Sequence, residues 1–314
     1  MQAVIVAGGK GTRLRPFTLR SPKPLLPLLE VPFLEWMVNR CKWVGMTDIL
    51  MNVGYLGGQI EAYFGDGSQW DVSIRYVRED TPLDTAGSLV LAKPYFTGEP
   101  LVVFNADILT DLDLEAVMNH HQESGAIATL TLTRVEDITA FGLVETDDSG
   151  RILAFREKPS PEEAATITTD TINAGTYILD PSIFDRYPAG DPLSFERTVF
   201  PGLLESGSVM GSYIHEGYWR DLGKPPSYYQ GQLDILKTVM TDYPISATET
   251  APGIWVHPEA TIDPEAQLSA PCYIGARVKV GPNATLPGGT IVNADSWIDG
   301  TLNPGVYAAG SLVA

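Results

Sequence analysis

Cysteine is nearly absent from this 314-residue chain: Cys41 and Cys272 are the only two, far apart. Two cysteines exclude a disulfide framework and a four-cysteine zinc site, and a reducing compartment is the simple reading. Histidine is scarce as well. His120, His121, His215 and His257 have no ligand-like spacing and read as structural or surface residues. No apolar run approaches the ~20 residues of a membrane span, and the start lacks the basic region and long apolar stretch of a signal peptide. A cytoplasmic protein is expected. Basic charge is in deficit, with 21 Lys+Arg against 39 Asp+Glu and a net charge of −18. That balance excludes a protein that coats nucleic acid or lies on anionic lipid. The most informative absence is local. Residues 1–29 contain no Asp or Glu, yet they hold Lys10, Arg13, Arg15, Arg20 and Lys23. A basic, acid-free start in an acidic protein predicts a site for an anion.

What is present is ample for a core. Hydrophobic residues make up 44% of the chain, and its length suits about two domains. To about residue 130, short apolar runs alternate with amphipathic stretches. Ala3–Ala7, Ile49–Val53, Leu101–Asn105 and Ile127–Thr133 read as strands, and Pro32–Val44 and Leu114–Glu123 as helices. Trp36 and Trp43, on the first helix, are expected in the core. Phe141–Pro159 and Thr171–Asp180 read as strand-rich, and Ser227–Val239 as a closing helix. Strands separated by helices predict an α/β fold, a mostly parallel mixed sheet with helices on both faces. Ligands of such sheets gather at the carboxyl ends of the strands, where the basic loop and Asn105-Ala106-Asp107 both fall.

Past residue 250 the pattern changes. Val256, Ile262, Leu268, Ile274, Val280, Leu286, Val292 and Ile298 recur every six residues. Four places after each come Ala260, Ala266, Cys272, Val278, Ala284, Thr290, Ser296 and Leu302, mostly small. A period of six fits neither a helix nor an ordinary hairpin strand, whereas hexapeptide repeats build a parallel β-helix. The expected organisation is a Rossmann-like domain over 1–235, a linker over 236–253 and a short β-helix over 254–314.

The loop Gly8-Gly9-Lys10-Gly11-Thr12-Arg13-Leu14-Arg15-Pro16 follows directly from a strand. Glycines let backbone N–H groups approach a phosphate, and Arg adds forked hydrogen bonds. It is neither a Walker A loop nor the dinucleotide fingerprint. Its continuation through Ser21-Pro22-Lys23-Pro24-Leu25-Leu26-Pro27 resembles the signature of the sugar-1-phosphate nucleotidyltransferase (nucleotide-sugar pyrophosphorylase) family. The resemblance continues in Thr81-Pro82-Leu83-Asp84-Thr85-Ala86-Gly87, Asn105-Ala106-Asp107, Phe141-Gly142, Glu157-Lys158-Pro159, Ile172-Asn173-Ala174-Gly175 and Trp219-Arg220-Asp221-Leu222-Gly223. With the hexads, the layout is most similar to the branch that makes GDP-mannose.

The resemblance implies that a sugar-1-phosphate oxygen attacks the α-phosphorus of an NTP and pyrophosphate leaves. Such chemistry rests on alignment and charge neutralisation. It assigns Gly8, Gly9, Gly11, Thr12, Asp84, Thr85 and Gly87 to the nucleotide, and Arg13 and Lys23 to the reacting phosphates. Asp107 and Asp221 match a pair that holds Mg²⁺. Gly142, Glu157, Lys158 and Asn173 match the sugar-phosphate site. The implied substrates are an NTP, GTP favoured, and a sugar 1-phosphate, mannose favoured. Glucose 1-phosphate with UTP or dTTP, or a heptose 1-phosphate, is the alternative. The implied handedness of the β-helix is left-handed, and a homo-oligomer is expected.

Asp84 departs from the pattern, which usually carries Gly there. Its carboxylate either reads the donor edge of guanine or alters base preference. It also admits a second class of function, a catalytically weak regulatory subunit. Retention of Arg13, Lys23, Asp107 and Asp221 favours an active enzyme. A third class, an acyltransferase in the hexads, lacks its histidine between coils; only His257 lies there, at the beginning.

Overall fold

The computed structural model describes residues 1–135, 141–157 and 169–314, with the side chain of Glu157 also outside the description. The chain forms two compact units that interleave in sequence. The first comprises Met1–Pro24, Met37–Ile108 and Leu112–Trp219; the second comprises Leu25–Trp36, Leu109–Asp111 and Arg220–Ala314.

The first unit is built on a nine-stranded sheet. Its strands are β1 (Gln2–Ala7), β2 (Asp48–Val53), β3 (Ser73–Arg78), β4 (Leu101–Asn105), β5 (Ala128–Arg134), β6 (Gly142–Thr146), β7 (Ile152–Glu157), β8 (Thr171–Leu179) and β9 (Met210–His215). The order runs β7-β6-β8-β4-β1-β2-β3, with β5 on β8 and β9 on β5. β4, β1, β2 and β3 run parallel to one another, β9 runs parallel to β5, and β8 runs antiparallel to β4, β5 and β6. Apolar runs such as Ala3-Val4-Ile5 are buried throughout rather than alternately, as expected of a sheet covered on both faces. Helices between strands supply the cover: α1 (Phe33–Trp43, which begins in the second unit), α2 (Gly57–Phe64), α3 (Asp84–Ala92), α4 (Leu114–Ser124) and α5 (Phe200–Glu205). Asp113 caps α4 by accepting from the Ala116 N–H at 3.0 Å. Val4, Leu50, Val103, Leu130, Tyr177 and Phe200 belong to one continuous core.

This strand order positions the site. From β1 the chain winds outward through β2 and β3, then returns to lay β4 on the other side of β1. The carboxyl ends of β1 and β4, with Val6 opposite Asn105, therefore flank the crevice where the winding reverses.

In the second unit, hexad strands pair in three parallel ladders. Ile254 lies opposite Cys272, Ile262 opposite Val280, and Leu268 opposite Leu286, each three hexads along. The last rung is shorter, placing Thr290 opposite Gly305 and Trp297 opposite Leu312. Ile274, Val280, Leu286, Val292 and Ile298 form its core. A hairpin turn at Leu29-Glu30 puts both residues at positive φ (48° and 76°), a conformation that ordinarily selects Asn-Gly. Packing compensates. Tyr273 donates to the Leu29 carbonyl at 3.2 Å, and Glu30 accepts from the Ala276 N–H at 3.1 Å.

Expected and observed strands agree to within a few residues. Two expectations fail. Among the described residues the sheet is mixed rather than mostly parallel, with four parallel and four antiparallel strand pairings, because β8 runs antiparallel to β4, β5 and β6, and β7 folds back antiparallel on β6. Trp36 is buried against Phe33 and Tyr243, but Trp43, on the same helical face, is 63% exposed. The rings that cover Trp36 lie near the start of the helix and do not shelter its last turn.

Candidate active site

The basic loop leaves β1 at Ala7 and occupies the crevice. The Gly8 carbonyl accepts from the Tyr55 N–H at 3.2 Å, and a Cβ on Gly8 would lie 2.7 Å from Glu79 Oε1. Gly11 sits at φ 57°, and a Cβ there would come within 2.9 Å of Thr18 and 3.1 Å of Lys23. Gly11 is therefore required by both close approach and backbone conformation, whereas a side chain on Gly8 would have to displace the Glu79 carboxylate. Gly9 differs: a Cβ there would meet nothing within 4 Å, because it faces open space. Thr12 and Arg13 follow in a single 3₁₀ turn, both exposed.

Lys23 reaches from the end of the signature segment to donate to Asp107 Oδ2. Asp107 lies just past β4, its N–H bonded to the Asn105 carbonyl at 2.8 Å. The pair is mostly sheltered, with side-chain exposures of 13% and 28%. Around it are two neighbouring chambers. One, of about 620 Å³, is lined by Gly8, Gly9, Lys10, Glu79 and Asp84 among others. The other, of about 220 Å³, is lined by Gly9, Lys23, Asn105 and Asp107. Val6, Gly9 and Thr85 border both.

Asp84 opens α3 at φ 63°, an uncommon conformation for a residue with a side chain. Its Oδ1 accepts from the Thr85 N–H at 2.9 Å, and its Oδ2 accepts from Arg197 at 2.6 Å. Thr85 is committed to the fold as well: its hydroxyl accepts from the Phe195 N–H at 2.9 Å and donates to Glu196 at 3.0 Å. Gly87 is packed so closely that a Cβ would lie 2.8 Å from the Asp191 carbonyl oxygen.

Glu79, which the sequence reading did not single out, is half-buried in the larger chamber wall. Burial raises its carboxyl above the ordinary range, and the Leu83 N–H, donating at 3.1 Å, partly offsets this. Its place directly after β3, at the same sheet edge as the glycine loop, was the available signal.

The residues matched to the sugar phosphate lie on adjacent strands. Gly142 at the start of β6 is the cross-strand partner of Glu157 at the end of β7, and Ile172, next to Asn173, pairs with Leu143. Lys158 lies outside the described residues. Asn173 stands where β8 bulges against β5, with Gly175 at φ 80°. Its side chain donates to the Tyr177 hydroxyl at 2.8 Å and accepts from the Gly175 N–H at 3.0 Å. Complete burial pushes the Tyr177 hydroxyl far above its usual pKa, so it remains a neutral phenol. Asp221 belongs to the second unit, where its Oδ1 accepts from the Gly223 N–H at 2.6 Å. Among the described residues, no group of three or more His, Cys, Asp or Glu side chains is gathered as a metal site, and no helix is long and apolar enough to cross a membrane.

A glycine loop at the switch point of a mixed sheet, beside a Lys–Asp pair and an open chamber, suits a phosphorylated ligand. The family model for nucleotidyl transferases matches residues 2–238. The chain belongs to the nucleotidyl transferase family. It is 37% identical over 293 residues to the mannose-1-phosphate guanylyltransferase of Mycobacterium tuberculosis, which covers 93% of this chain and 79% of that relative. It is 34% identical over 313 residues to the UTP–glucose-1-phosphate uridylyltransferase of Synechocystis, covering 95% and 80%. Among solved structures, a Bacillus anthracis protein described as a candidate glucose-1-phosphate thymidylyltransferase superposes with a TM-score of 0.67 at 25% identity, covering 74% of this chain and 94% of that one.

Proposed function

We propose that this nucleotidyl transferase joins GTP to mannose 1-phosphate, giving GDP-mannose and pyrophosphate. The observation that carries the reading is the Lys23–Asp107 pair, set at the strand ends where Gly9 leaves the chamber open. A phosphate oxygen of the sugar 1-phosphate forms a bond to the α-phosphorus, and the bond from that phosphorus to the β-phosphate bridging oxygen breaks. The task of the protein is to align two polyanions and offset their charge. Lys23 and Arg13 bind the reacting and departing phosphates. Gly8, Gly9, Gly11 and Thr12 admit the triphosphate to the backbone. Asp84, Thr85 and Gly87 shape the loop against the base, and Gly142, Glu157, Lys158 and Asn173 hold the sugar phosphate.

We read Mg²⁺ at Asp107, whose carboxylate offers hard oxygens of which only one is taken by Lys23; the family resemblance names Asp221 as the second carboxylate. When bound, the ion supplies charge neutralisation at the phosphates. The guanine and mannose assignment is supported by the mycobacterial relative; the Synechocystis relative supports UTP and glucose 1-phosphate as the second reading. The hexad ladders are read as a short left-handed β-helix over 254–314, following in sequence a catalytic domain over 1–235 and a linker over 236–253. The coil ends of such a helix need cover, which supports a homo-oligomer.

The test is a matrix of four NTPs against several sugar 1-phosphates with Mg²⁺, scored by pyrophosphate release. GTP with mannose 1-phosphate is expected to turn over fastest. Turnover with UTP or dTTP but not GTP overturns the substrate assignment, and turnover in no combination overturns the enzyme.

A further inference from the structure

The larger chamber presents a charge problem. Its wall includes Lys10 but also Glu79, Asp80 and Asp84, an unfavourable lining for a polyanion. Asp84 is the most exposed to this objection, because it opens α3 next to Thr85, which borders both chambers. Its carboxylate is not left bare. Arg197, 113 residues along the chain, donates to Asp84 Oδ2 at 2.6 Å.

Arg197 does not line the chamber. It reaches Asp84 because the segment that carries it is strapped across the start of α3. The Leu193 N–H donates to the Leu83 carbonyl at 2.9 Å, and the Ala86 N–H donates to the Leu193 carbonyl at 2.8 Å. The Phe195 N–H and Glu196 both bond the Thr85 hydroxyl. Gly87 allows the strap to lie this close. The backbone on either side of the ion pair is thus ordered, while the Arg197 side chain itself is 67% exposed, so the pair is screened by solvent and its effect is modest.

We propose that Arg197 is a positioning residue for nucleotide binding, acting through Asp84: it cancels the charge of that carboxylate and holds Asp84 in its left-handed conformation. The proposal rests on reading the chamber as a nucleoside triphosphate site. Two consequences separate it from a merely structural role. Loss of Arg197 weakens binding of the nucleotide more than it slows turnover, and removing the charge of Asp84 cures the loss.

The experiment is a double-mutant cycle on the full chain with R197A, D84N and R197A/D84N. It is read by the equilibrium Kd for GTP without sugar phosphate, by KM and kcat, and by Tm. R197A is expected to raise Kd and KM about fivefold, the order for uncovering one partly screened charge, with kcat within about twofold. The Kd increase shrinks at high salt. R197A/D84N is expected within about twofold of D84N alone. An unchanged Kd in R197A overturns the proposal, as does a deficit equally large in the double variant. If the wild type binds GTP without turning over any sugar 1-phosphate, the functional reading falls and the Kd cycle still decides the pair. A wild type that binds no nucleoside triphosphate overturns both.

Discussion

In the hexad ladders a strand meets its partner three hexads further along, as Leu268 meets Leu286. In the nine-stranded sheet β1 meets β4 with Gln2 opposite Leu101, and the Lys23–Asp107 and Asp84–Arg197 pairs span 84 and 113 residues. Both units bury apolar cores, but they use polar groups differently. The ladders are sparingly charged; an exposed Arg277–Asp295 pair decorates the outside. The first unit gathers charge at one sheet edge, where a change of winding leaves backbone groups and side chains facing a cleft. Repetition therefore provides packing, and long-range crossover provides a site.

This contrast can be broken at either end. The largest effect is expected from L286A in the ladder core, where a fully buried side chain leaves a cavity. Unfolding of the second unit should be about 2–5 kcal/mol easier in denaturant titration, with GTP affinity within twofold of wild type. A large loss of affinity would show that the ladders contribute to the site. Next come K23A and D107A, each expected to lower turnover at least ~100-fold in pyrophosphate release, while Tm changes little. Wild-type-like rates in either variant would remove that residue from the chemistry.

E30A removes the acceptor that steadies the hairpin with two positive-φ residues. It should destabilise the protein by about 1–3 kcal/mol, measured by thermal unfolding. The smallest effect belongs to E79Q. The pKa of Glu79 is raised in the folded state, so its contribution is most favourable below the ordinary glutamate range and is lost as pH rises through the raised value. E79Q should therefore raise Tm by about 1–2 °C at pH 7, and the gain should vanish near pH 4. A constant gain at all pH values would mean that charge at Glu79 is not the cause.

Sequence reading was most successful where neighbours in space are neighbours in period. The six-residue repeat named Ile274, Val280 and Leu286, all of which are core residues. It also located the strand ends that carry the glycine loop and Asp107. It misjudged Trp43, because helical periodicity says which face a residue shares but not where the cover stops.

The site divides in the same way. Gly8, Gly11, Lys23 and Asp107 were legible because the signature fixes their types within short segments, and β1 and β4 bring the segments together. Asp84 remained unexplained, and Glu79, Glu196 and Arg197 went unnoticed. None has a local signal, since Arg197 acquires its role only when the strap crosses the start of α3. From sequence alone come the acid-free basic start, the hexad period and the alternation of strands and helices. These follow from composition and spacing, which every short segment carries by itself. Tertiary structure decided which acids the cleft contains and which cation answers Asp84. A charge pair is defined by distance in space, and no period relates residues 113 apart.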